Sequence, residues 1–252
     1  MEDAKVKSLV KALKVLECFN SKTPELGITQ ISKMLGIGKS SISNIVSTFE
    51  QMGYLEQNKE SSRYTLGLKL LEYSFIINEH LGYQRLFYDI MQDISTQFNT
   101  ITYFAIYRDK RVFYLCNSYP SVAAYNYPYR TILGENAPLY CTAIGKSMMA
   151  YLPAEELEEV LKLERTAFTD STIIDEQALR AEIAAIRKQG YALDREEHEY
   201  GILCVGVPVF SGSNELFGAF SMSSINLDFS PENISVYTRV MKEAAQAMRE
   251  RI

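Results

Sequence analysis

Two histidines, four cysteines and the lack of any long apolar run each remove a class of function from this chain. His80 and His198 are too few for a conventional hydrolytic zinc site, so no metal is expected. Cys18, Cys116, Cys141 and Cys204 are far apart and form no C-x-x-C pair, which argues against a zinc ribbon or a disulfide scaffold and for reduced thiols. The longest apolar runs fall short of the roughly 20 residues that cross a bilayer. The opening MEDAKVKSLV carries acids and lysines where a secretory leader needs an apolar core. A cytoplasmic protein with no membrane partner and no cofactor is therefore expected, and no internal repeat or low-complexity tract points elsewhere.

What is present is the composition of an ordinary globular protein, 47% apolar and 23% charged, in 252 residues, a length that favours two domains. The net charge of −5 would argue against a nucleic-acid partner, but it is unevenly spread. Residues 1–75 hold ten Lys+Arg and eight Asp+Glu, whereas the remainder holds 16 and 23. A weakly cationic module on an acidic body can bind DNA if its few cations face the phosphates.

Val6, Leu9, Val10, Leu13, Leu16 and Phe19 recur at helical spacing, predicting a first helix that ends near Asn20. Pro24 and Gly27 break the pattern, Thr29 is the expected N-cap of a short second helix, and Gly36 closes it. A third helix follows Gly38, with Ile42, Ile45, Val46, Phe49 and Met52 inward and Ser40, Ser41, Ser43, Asn44 and Ser47 on the other face. Serine and asparagine are poor interior helix residues, yet short donors and acceptors suit a helix lying in a major groove, where Asn can bond adenine through two atoms. The alternative is a solvated face with a Ser-rich cap. The short helix, glycine turn and long third helix together favour a helix-turn-helix. Residues 54–56 and 63–66 predict a hairpin in the position of a wing, with Lys59 and Arg63, like Lys39 on the helix, available to phosphate. From Leu68 a helical pattern runs to about His80 and is read as a linker.

These residues resemble a known family. LVKALKVLECF, ITQISKMLGIGKSSISNIVSTFEQMGYLE and RYTLGLKLL are similar to the winged-helix domain of the IclR family of bacterial transcriptional regulators. APLYCTAIGKSMMAYLP, GYALDREEHEYGILCVGVPVF and GAFSMSS resemble that family's C-terminal half in order and spacing, so the likeness spans nearly the whole chain. One departure is Asn44, where the family often has Arg, so the family's base preference is not carried over.

The C-terminal pattern predicts a helix over residues 84–98, strands at 101–107 and 112–116 about a charged turn, and helices over 142–151, 154–161 and 175–188. Strands at 202–210 and 216–223 and a last helix from Pro231 to about Arg251 complete it. The expected fold class is α+β: a winged helix-turn-helix followed by an α/β sensor domain with an antiparallel sheet, which the resemblance makes GAF-like. The expected boundaries are 1–67 for DNA binding, 68–82 for the linker helix and 83–252 for the effector domain.

Gly145-Lys146-Ser147 invites a phosphate-loop reading, which fails because Tyr140 stands where the motif needs glycine. What survives is a helix start whose amides near Ala143 and Ile144 could receive an anion. By strand alternation Cys204 shares a face with Gly206, and Ser221 with Ser223; spacing alone fits a small polar pocket and a small-residue interior face equally well. The resemblance implies the pocket, since Asp194, Cys204, Ser221, Ser223 and the backbone at Ala143 and Ile144 match positions where relatives hold small carboxylate effectors. The many tyrosines between Tyr119 and Tyr140 would instead favour an aromatic or sugar-like ligand.

The expected function is a ligand-responsive, DNA-binding regulator, a repressor rather than an enzyme, acting on operator DNA as a homodimer or dimer of dimers. Two other readings stay open. One is a cysteine-dependent hydrolase using Cys141 or Cys204 with His198, for which no orienting group or oxyanion motif is legible. The other is a signalling sensor whose N-terminal module binds protein.

Overall fold

The computed structural model describes residues 5–120, 134–225 and 227–252. The chain divides into two compact units, one ending at Leu81 and the other beginning at Gly82.

The first unit is a winged helix-turn-helix. Helices α1 (Lys7–Glu17), α2 (Ile28–Leu35) and α3 (Lys39–Gln51) precede a hairpin of β1 (Leu55–Gln57) and β2 (Tyr64–Leu66). Val15, Phe19, Leu26, Ile31, Ile42, Val46, Leu55 and Tyr64 form its core. Two hydrogen bonds between Leu26 and Tyr64 tie the turn before α2 to the wing. Three expectations need correction. α1 stops at Glu17, short of Asn20, because the Asn20 carboxamide oxygen accepts from the amides of Lys22 and Thr23 and turns the chain. The N-cap of α2 is Gly27, not Thr29; the Gln30 side chain reaches back to the Gly27 N–H at 3.0 Å. Met52 caps α3 and is exposed. Gly36 closes α2 in the left-handed region, φ 65°, as its place after the last apolar residue predicts.

Helix α4 (Lys69–Leu81) has no buried residue, and Leu71 (63%) and Phe75 (67%) are among its exposed side chains. Its N-terminal part is tied to the winged helix by a bond between the Tyr54 and Tyr73 hydroxyls, 2.8 Å.

In the second unit, α5 (Tyr83–Phe98) leads into β3 (Ile101–Arg108) and β4 (Arg111–Ser118), joined at Asp109 and Lys110. Both turn residues have positive φ, the geometry that two-residue hairpin loops favour. Then come β5 (Asn136–Ala137), α6 (Ala143–Met149), α7 (Ala154–Leu161), α8 (Glu176–Gln189), β6 (Ala192–Arg195), β7 (Leu203–Phe210), β8 (Leu216–Ser224) and α9 (Pro231–Arg249). Among the described residues six strands form one antiparallel sheet in the order β5-β4-β3-β8-β7-β6. One face packs on α5 and α9 through Phe87, Met91, Met241 and Met248; the other packs on α6, α7 and α8 through Met148, Leu157, Leu179 and Ile183. This is the expected α+β class with an antiparallel sheet.

Two glycines fix α6 on the sheet. A Cβ on Gly206 would lie 2.5 Å from the backbone of Ala143, and one on Gly145 would lie 2.4 Å from the Leu139 carbonyl oxygen. Every residue of α6 is buried, and the Thr142 hydroxyl accepts from the Gly145 N–H at 3.1 Å as N-cap.

Candidate functional site

Two groups of polar residues stand out, one in each unit. On α3 the core claims Ile42 and Val46, leaving Lys39, Ser40, Ser41, Asn44 and Ser47 exposed and Ser43 half-buried. Gln51 Nε2 reaches Ser47 Oγ at 3.5 Å; among the described residues the side chains of Ser40, Ser41 and Asn44 have no hydrogen-bond partner. The wing turn is built by Asn58, whose side-chain oxygen accepts from the amides of Glu60 and Ser61, and it leaves Lys59 and Arg63 exposed at the hairpin end. The fold thus puts one polar helix face and one cationic turn on the same small unit.

In the second unit the register across β6, β7 and β8 sets Asp194 beside Cys204 and Cys204 beside Ser223. Two residues along, Ala192, Gly206, Ser221 and Tyr103 of β3 form the next row. Facing partners in an antiparallel sheet share a face, and so do residues two apart, so both rows point the same way. That face meets the start of α6, because Gly206 abuts Ala143 and Ile144. All six residues expected from the sequence are therefore brought together. Cys204 Sγ donates to Ser223 Oγ at 3.2 Å, and Ser221 is buried. Tyr125, Tyr127 and Tyr129, the middle of the expected tyrosine group, lie outside the described residues.

The structure adds residues that sequence reading passed over. Lys146 is fully buried at 0% exposure, and its Nζ donates to Glu197 Oε1 at 2.5 Å and to Glu182 Oε1 at 3.1 Å. Glu197 in turn donates its backbone N–H to Asp194 Oδ1 at 2.7 Å. Burial pushes the Asp194 carboxyl up to about 7, aided by the nearby charge of Glu197 and opposed by that N–H and by Lys146. Burial also raises Glu197, against the pull of Lys146, and its Oε2 is buried with no hydrogen-bond partner among the described residues. One sequence cue was available: a lysine inside the small and apolar run AIGKSMMA has no solvated face to occupy.

The thiols are unsuited to nucleophilic chemistry. Burial and the Asp194 charge hold Cys141 and Cys204 well above the ordinary thiol range, the reverse of an activated thiolate. His198 packs its ring against Phe168, 4.9 Å between centroids. Two clefts of about 230 and 220 Å³, the first beside Tyr140 and Arg165 and the second beside Tyr151 and Lys242, include none of the six expected ligand residues.

Residues 8–59 match the IclR helix-turn-helix domain, and residues 79–250 match the bacterial transcriptional regulator IclR C-terminal domain. The chain belongs to the IclR family. It is 31% identical over 244 residues to the HTH-type transcriptional regulator XynR of Escherichia coli K12, covering 96% of each chain. The crystal structure of Thermotoga maritima IclR superposes with a TM-score of 0.72 at 29% identity, covering 96% of this chain and 97% of that one. A Microbacterium hydrocarbonoxydans IclR homologue crystallised with 4-hydroxybenzoate shares the fold, with a TM-score of 0.81 at 20% identity over 97% of this chain and 98% of that one. As an IclR-family member the protein is a ligand-responsive, DNA-binding transcriptional regulator. Among the described residues no helix is long and apolar enough to cross a membrane.

Proposed function

We propose that the protein is a cytoplasmic, homodimeric repressor whose hold on operator DNA is set by a small organic acid. The observation that carries the reading is the α3 face, where Ser41 and Asn44 present unused hydrogen-bonding groups on the side away from the buried Ile42 and Val46. With Ser40, Ser43 and Ser47 they read base edges in the major groove, while Lys39, Lys59 and Arg63 contact phosphate. Residues 1–67 act as the DNA-binding domain, 68–82 as the linker helix and 83–252 as the effector domain.

Dimerisation is supported by two exposed apolar stripes. Val6, Leu9 and Leu13 on and beside α1 and Leu68, Leu71 and Phe75 on and beside α4 recur at coiled-coil spacing and are left exposed by the described residues of their own unit. A single winged helix reads a short sequence, and two joined modules read paired half-sites. The ligand reading is supported by the two adjacent polar rows that hold Asp194, Cys204 and Ser223 and, next to them, Ser221, with Gly206 against the Ala143 and Ile144 backbone, and by the aromatic acid bound to the Microbacterium relative. The raised thiols support binding without catalysis.

The test is selection of bound genomic fragments by the full chain, followed by operator titration with and without keto, hydroxy and aromatic acids. Tight, sequence-selective binding that an acid weakens is the expected outcome. Binding to random duplex as tight as to any selected fragment would overturn the operator reading. An acid that stabilises the wild type, Ser221→Ala and Ser223→Ala equally would move the ligand elsewhere.

A further inference from the structure

Among the described residues the ligand site sits on a buried charge cluster that is short of cations. Among the described residues Lys146 from α6 is the lone ammonium facing Glu197 and Asp194, both at most 4% exposed, and it also serves the half-buried Glu182 of α8. The other titratable groups facing Asp194 are Cys204 of β7, Tyr114 of β4 and Cys141 in the segment before α6, with Tyr103 of β3 against Tyr114; none is a cation. Two ionised carboxylates against one ammonium leave a net negative charge in a desolvated space. A carboxylate ligand arriving beside Asp194 adds another, and like charges at such range cannot all stay ionised out of water. Glu197 Oε2 points the same way, since it is a buried acceptor with no hydrogen-bond partner among the described residues.

We propose that the site takes its organic anion together with one proton, which lodges on the Asp194–Glu197 pair opposite Lys146. The proton comes from solvent and rests on Asp194, with Glu197 the charge that opposes its loss. Lys146 and Glu197 are thereby positioning residues: they hold Asp194 through its bond from the Glu197 N–H and set the charge against which the ligand is admitted. This rests on the organic-acid reading above, and it makes that site selective for monoanions and responsive to pH. Above the pH at which the empty pair gives up its proton, affinity for an anion falls about tenfold per pH unit.

The experiment uses the full chain and three probes, pyruvate, lactate and 4-hydroxybenzoate. Calorimetry at pH 8 in phosphate and in Tris, whose ionisation heats differ, should show uptake approaching one proton per site for whichever acid binds. The dissociation constant should rise about tenfold per unit between pH 7 and 9. In Asp194→Asn the dependence on pH should vanish whatever affinity remains, and Glu197→Gln should shift the pH at which it sets in. Identical heats in the two buffers would overturn the coupling while leaving the ligand reading intact. If none of the probes binds, the organic-acid reading and the coupling fall together. A second arm needs no ligand: carboxyl carbon NMR of the empty protein should show a group titrating near neutrality that is lost in Asp194→Asn, and all side-chain acids ionised by pH 6 would overturn the proposal.

Discussion

At the scale of single residues the decisive quantity is whether a polar group has a partner. The Asn44 side chain has none among the described residues, and Asp194 has an N–H but sits where water does not reach. Asn44→Ala should cost about 1 to 3 kcal/mol on the selected operator and little on random duplex, whereas Lys59→Ala or Arg63→Ala should weaken both and lower the salt slope by about 1. Fluorescence titration over a salt series reads both quantities, and equal losses from Asn44→Ala on the two DNAs would remove it from the reading face. For Asp194 the sign follows from linkage. Its folded-state value is raised above the ordinary 3.8 to about 7, so the native chain binds more protons than the unfolded one between those limits. The stability it confers is present below about pH 4 and is lost as pH rises through 7, by an amount of order 2 to 4 kcal/mol. Asp194→Asn should therefore gain on the wild type from pH 5 to pH 8 in thermal denaturation; parallel curves would show that burial of this carboxyl is not costly.

At the scale of elements, the placement of α6 governs the second unit. The helix is held by the Thr142 cap, by Gly145 over Leu139 and by Gly206 under Ala143. Gly206→Ala puts a methyl 2.5 Å from backbone that has no slack, so it should cost about 1 to 3 kcal/mol through overpacking, and should also weaken ligand binding by lifting α6 from the Cys204 and Ser221 rows. Thr142→Ala should cost about 1 kcal/mol through the lost cap and leave the sheet unchanged. Urea denaturation separates the two by magnitude, and a Gly206→Ala protein as stable as the wild type would show that the close approach is not maintained in solution. Element boundaries were legible where apolar periodicity met a glycine, as at Gly36 after α2. They were misread where a side chain made the turn, as Asn20 does after α1 and Gln30 does before α2, since neither bond leaves a periodic trace. The phosphate-loop likeness of Gly145-Lys146-Ser147 dissolves for a related reason: the glycine is there for packing, and the lysine turns inward to Glu197.

At the scale of the whole molecule, α4 is the element that its own unit leaves unfinished. Leu71 and Phe75 are exposed, and substituting a polar residue there should alter the monomer's stability by no more than about 0.5 kcal/mol. Phe75→Glu should nonetheless reduce the protomer's association in sedimentation and cut operator affinity steeply, because paired half-sites need paired modules. A variant that remains dimeric and binds as well as the wild type would mean that another surface joins the protomers. The sequence by itself determined the class of both units: local apolar spacing, caps and turns specify the winged helix and the antiparallel sheet, since each is set by residues a few positions apart. It also determined the polar face of α3, because a helix of known phase with buried Ile42 and Val46 has one opposite side. Only the tertiary structure decided the charge of the ligand site. Lys146, Glu182, Asp194 and Glu197 come from α6, α8, β6 and the turn after β6, and what each carboxyl does depends on how little water and how few cations reach it once those segments pack.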